Sequence, residues 1–160
     1  MFNAEHVTDP STGVVAERDG KFARSSLSEG NGPANVEESV LIFASVDEAE
    51  AVFKSSQAQW RSCASNEVTV GYGEDSWTYN VGDVQFHGDV SSVSMAAGST
   101  AMVGGRACQT AIGLRANVVV ETWTCLWANF PYFPATQADP NEAGDYAVQL
   151  VTAMLDKVKV

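Results

Sequence analysis

The sequence is short of bases, histidines and long apolar runs. Nine Lys and Arg stand against 20 Asp and Glu, a formal net charge of -11 with a pI near 4.4. Nucleic-acid binding needs Lys/Arg patches against phosphates, so that class of function is excluded. The same charge disfavours docking on an anionic membrane surface. No base occurs between Arg61 and Arg106, while Glu67, Glu74, Asp75, Asp83 and Asp89 fall there. These acids are too scattered for a calcium loop and read as a solvated face. No run of about eighteen apolar residues exists to span a bilayer. Met1-Phe2-Asn3-Ala4-Glu5-His6 has neither the basic start nor the apolar stretch of an export leader.

Catalytic patterns are equally sparse. The two histidines are His6, in an irregular start, and His87, at the end of a strand-like stretch. There is no G-x-S-x-G elbow for acyl transfer, and no C-x-x-C or H-E-x-x-H to hold zinc. Gly71-Tyr72-Gly73 lacks the third glycine and helix of a dinucleotide site. The expectation is a non-enzyme without cofactor or metal. The three cysteines are an odd count, which in an exported protein leaves one thiol over.

What is present suits a single folded domain: 160 residues, 45% hydrophobic and 18% charged. Residues 1–37 are irregular, punctuated by Pro10, Gly13, Gly20, Gly30, Gly32 and Pro33, with Val14-Val15 and Phe22 as material for an edge strand. Ser39–Ala44 is an apolar run of strand length. Ser45 and Glu48 then form a capping box, and Ala49, Val52, Phe53, Ser56 and Trp60 make a helical stripe ending near Cys63. Short strands follow at Glu67–Tyr72, Trp77–Val81, Val84–His87 and Val93–Ala96. Near the C-terminus, Asp139, Pro140 and Glu142 announce a helix carrying Ala143, Tyr146, Ala147, Leu150, Val151, Met154 and Val158 at 3–4 spacing.

The stretch Arg106–Leu126 is the most informative. A two-residue turn at Ala116-Asn117 pairs Arg115 with Val118 and, seven steps out, Cys108 with Cys125. Hydrogen-bonded and non-hydrogen-bonded pairs alternate outward from the turn, so the cysteines face each other where Cα atoms approach to about 4.5 Å. That register predicts a cross-strand disulfide and hence an oxidising compartment; the alternative is two reduced core cysteines. Beyond the hairpin lies W-A-N-F-P-Y-F-P. Trp123, Trp127, Phe130, Tyr132 and Phe133 concentrate aromatics there, and Pro131 and Pro134 prevent a helix. So apolar a segment either covers the sheet edge or the helix, or forms one wall of a ligand or partner groove.

The motifs Q-W-R-S-C-A (Gln59–Ala64), R-A-C-Q-T-A-I-G-L-R-A-N-V-V-V-E (Arg106–Glu121) leading to Cys125, and L-D-K-V (Leu155–Val158) together resemble the PknH-like extracellular domain. This is the sensor domain of actinobacterial receptor Ser/Thr kinases, also found in envelope lipoproteins. The resemblance covers Glu38–Val160 and implies an α+β domain, a twisted antiparallel sheet packed by two main helices at about 45–62 and 140–158. It implies an extracytoplasmic, non-catalytic sensor with a groove for an unidentified cell-envelope molecule, tethered to the membrane only through a segment outside this chain. The alternative is a protein-interaction or dimerisation module. The partner is accordingly a small molecule, a lipid or glycolipid, or a protein. Ligand-contacting candidates are Trp123, Trp127, Phe130, Tyr132 and Phe133. Family members carry two disulfides. The first matches Cys108–Cys125; the second joins the cysteine at the helix end, here Cys63, to one upstream. No cysteine precedes Cys63 in this chain, so Cys63 is expected to be unpaired, its partner lying outside the chain or lost.

Overall fold

The computed structural model of the protein describes residues 35–70, 77–98, 105–128 and 139–159. Seven strands form one antiparallel sheet: β1 (Asn35–Ile42), β2 (Glu67–Val70), β3 (Trp77–Val81), β4 (Gln85–His87), β5 (Val90–Gly98), β6 (Gly105–Arg115) and β7 (Val118–Ala128). Their order is β1-β7-β6-β5-β3-β2. β5 lies along β6 by one edge and shares its other edge between β3 and β4. The apolar run predicted at Ser39–Ala44 is thus β1, which starts earlier and stops at Ile42.

The first helix, α1 (Val46–Cys63), forms where its cap dictates. Glu48 N–H donates to Ser45 Oγ at 3.2 Å, and the Glu48 carboxylate accepts from Ala44 N–H at 3.2 Å. The stripe Ala49, Val52, Ser56 and Trp60 is buried. It packs on one sheet face against Leu41, Val93, Met95, Cys108, Ile112, Val119 and Cys125. Gln57 Nε2 pins the helix to β5 through Ser91 Oγ at 2.7 Å.

The C-terminal helix differs from the expectation. Asp139 does cap, but it caps a 3-10 turn, Pro140–Ala143, by accepting from Asn141 N–H at 2.9 Å. Gly144 then takes φ +66, outside the helical region, and the α-helix α2 runs only from Tyr146 to Leu155. The break lets one segment fit two sites. Ala143 packs on Ala96 and Ala107, while Ala147, Val151 and Leu155 pack on Val90, Ala111 and Val120. Those sheet residues alternate with the ones under α1, so the two helices cover opposite faces.

The β6–β7 hairpin lies between both helices. Its register is the expected one, with Arg115 opposite Val118 and Cys108 opposite Cys125. Cys108 and Cys125 are disulfide-bonded, with Cα atoms 4.0 Å apart. Cys63, at the end of α1, is a free thiol. The turn is clamped to the end of β1: Phe43 N–H donates to Asn117 O at 2.9 Å, and Asn117 Nδ2 to Phe43 O at 2.6 Å. Arg115 Nη1 donates to Leu155 O at 2.6 Å, tying the same turn to the end of α2.

Three outcomes test this frame. Alkylation of the unreduced, unfolded protein should label one thiol, Cys63, and a Cys108→Ala/Cys125→Ala variant should lose about 3 kcal/mol in denaturant unfolding. At Gly113 a Cβ would come within 2.7 Å of Leu155 Cδ1 and of Val151 Cγ1. Gly113→Ala should therefore destabilise by about 1–3 kcal/mol, in the same measurement, by pushing α2 off the sheet.

Candidate functional site

Alternation along β7 directs Glu121, Trp123, Cys125 and Trp127 to the α1 face, with Val119. The register sets Ile112, Thr110, Cys108 and Arg106 of β6 beside them. On the other side, β1 contributes Ser39, Glu37 and Asn35, opposite Glu121, Trp123 and Cys125. The strip is apolar and aromatic at the core and carries a carboxyl at one end and a guanidinium at the other.

At the outer end, away from the hairpin turn, the Arg106 guanidinium lies between two indoles. Its Cζ is 4.7 Å from the centre of the Trp77 ring and 4.8 Å from that of Trp127. Trp127 stands directly opposite Arg106 in the β6–β7 ladder, whereas Trp77 comes from β3, across β5. Such contacts contribute on the order of 0.5–2 kcal/mol each. Arg106 Nε is buried without a hydrogen-bond partner, and among the described residues no carboxylate pairs with this arginine. Trp127 is nevertheless 59% exposed.

The inner end is the reverse. Glu121 is 5% exposed, and its Oε2 has no hydrogen-bond partner. Burial, and secondarily the charge of Glu37, push its carboxyl up from 4.5 to about 7. Thr110 Oγ1, on the same face, is also buried and unpartnered.

Of the expected ligand contacts, Trp123 and Trp127 share this face: Trp123 is half-buried against the core and Trp127 is open. Phe130, Tyr132 and Phe133 lie outside the described residues. Sequence reasoning missed Arg106, Trp77 and Glu121 as members of the face. Glu121 had a visible signal, a carboxylate at the inward beat of the hairpin register. The Arg106–Trp77 meeting had none, since it depends on strand order. On the opposite face, Ser65, Asn80, Gly82, Asp83, Gln85 and Asn141 line a polar concavity of about 380 Å³. His87 is exposed, with Nε2 3.2 Å from Ser92 Oγ. Among the described residues no three His, Cys, Asp or Glu side chains converge on a metal position, and no helix is long and apolar enough to cross a membrane.

The Glu121 environment carries a testable sign. A carboxyl held near 7 when folded and near 4.5 when unfolded keeps its proton preferentially in the native state. Its contribution is complete below pH 4.5 and is lost as pH rises through 7, a difference of roughly 3 kcal/mol. Glu121→Gln should match the parent protein near pH 4 and exceed it in stability above pH 8, by denaturant unfolding across that range.

The sequence matches the family model for the PknH-like extracellular domain over residues 10–157. No curated protein matches it. The fold is similar to the crystal structure of the extracellular domain of PknH from Mycobacterium tuberculosis, with a TM-score of 0.59 and 24% identity, covering 76% of this chain and 54% of that one. This chain thus spans about half the length of that structure. With nearly its whole length matched and the sheet, helices and hairpin disulfide in place, the chain belongs to the PknH-like extracellular domain family.

Proposed function

We propose that the domain is a non-catalytic extracytoplasmic sensor that binds a cell-envelope molecule on the α1 face of β6 and β7, with Trp127 as a contact and the aromatic segment through Phe130, Tyr132 and Phe133 as an adjoining wall. The supporting observation is Trp127, a large indole left 59% exposed beside Arg106 at the sheet end from which the chain enters that segment. Exposed aromatic faces favour lipid or sugar-ring bodies. Ligand occupancy would be relayed to whatever the domain is joined to, or would be its whole role in a lipoprotein.

The test is native mass spectrometry after incubation with a polar lipid extract of an actinobacterial envelope. A retained adduct that weakens in both Trp127→Ala and Phe133→Ala supports the reading; an adduct indifferent to both removes these residues from the site. The second reading, a protein-interaction or dimerisation module, draws on the exposed Trp127 and the 58% exposed Phe86 on the same face. It predicts self-association by sedimentation with rising concentration, abolished by Phe130→Ser with Phe133→Ser.

A further inference from the structure

The geometry points to a ligand that carries one oxyanion, a carboxylate or phosphodiester, bound by Arg106, with an apolar body against the Trp127 indole. This rests on the binding face proposed above and specifies its chemistry.

Arg106 is an oddity of charge. In a chain with 20 acids and nine bases, Arg106 has no carboxylate among the described residues. Among the described residues its partners are two indole rings. The other arginines of the described fold have evident tasks: Arg115 bonds Leu155 O and approaches Asp156 at 3.6 Å, and Arg61 sits at the end of α1, 5.4 Å from the centre of the Phe86 ring. The Trp77 and Trp127 rings, 4.7 and 4.8 Å from Cζ, hold the Arg106 guanidinium by their π faces and offer its N–H donors no oxygen acceptor. Nε is buried and unpartnered, so the fold leaves the hydrogen-bonding capacity of this guanidinium partly unsatisfied, a cost that an oxyanion drawn to the group would offset. A guanidinium held in this way matches a planar carboxylate or two oxygens of a phosphodiester, which it binds bidentately.

Two further features narrow the ligand. The net charge of -11 opposes a multiply charged anion, so one negative charge suits the site best. The open indole of Trp127, 4.8 Å from the same guanidinium, sets apolar surface next to the charge, so the anion belongs to an amphiphile rather than to a free inorganic ion. A fatty carboxylate and the phosphodiester of an anionic lipid are the two sources of that chemistry.

The experiment titrates the protein, by tryptophan fluorescence, with four probes used below their micelle concentrations where one exists. These are octanoate, dihexanoyl phosphatidylglycerol, uncharged octyl glucoside, and acetate. Saturable binding of octanoate or the phosphatidylglycerol, stronger than that of octyl glucoside and acetate, is expected, and the preferred one of the two names the source. Arg106→Gln should weaken it by about tenfold or more, with octyl glucoside unaffected, and Arg106→Lys should restore only part, because an ammonium lacks the planar fork. Affinity for the anionic probe should also fall between 50 and 500 mM salt, a readout that needs no variant to fold. Equal binding of charged and uncharged amphiphiles, insensitive to salt and to Arg106→Gln, overturns the oxyanion inference while leaving the binding face standing. Indifference of every probe to Trp127→Ala overturns the face itself, and failure of the parent protein to bind either anionic probe overturns the inference outright.

Discussion

The register of the β6–β7 hairpin is the constraint on which the domain depends, because it decides which side chains meet which helix. With Cys108 opposite Cys125, Ile112, Val119 and the disulfide itself belong to the core under α1, and Ala111, Gly113 and Val120 belong to the surface under α2. A slip of one residue would exchange the two sets and turn both faces over at once. The crosslink forbids that slip. The turn adds a second lock, since Asn117 grips the end of β1 and Arg115 grips the end of α2.

That fixed alternation also explains why polar groups are stranded inside. Once the register places Val119, Trp123 and Cys125 under α1, Glu121 has no choice but to join them, although its carboxyl is better solvated. Arg106 is carried inward by the same beat and is accommodated by two indoles instead of a carboxylate. Local consistency along a strand is strong enough to override the preference of a single side chain, and the exceptions gather on one face.

Much of this was legible from local signals. The capping box at Ser45 and Glu48 and the stripe ending at Trp60 located α1 to within a residue at each end, because capping and periodicity are short-range. The hairpin pairing followed from a two-residue turn. The C-terminal helix was less legible: Asp139 signalled a cap, yet Gly144 and the separate packing of Ala143 and Ala147 split the segment. Whether a glycine is passed over or used as a break depends on what lies beneath it. β5 was read too short, since Ser91, Ser92 and Ser94 mask a strand whose burial comes from its neighbours.

The acidic character that disfavours polyanionic partners, the bounds of α1 and the pairing of Cys108 with Cys125 were all readable from the chain, because they rest on composition or on residues close together in it; the α+β class was implied by the resemblance of its motifs to the PknH-like extracellular domain. Long-range packing was needed to set α1 and α2 on opposite faces, to stand β3 beside β5, and so to bring Trp77 over Arg106 from a strand the sequence does not connect to it. Those are outcomes of strand order, and strand order is set by how all the apolar faces are buried together, not by any local preference.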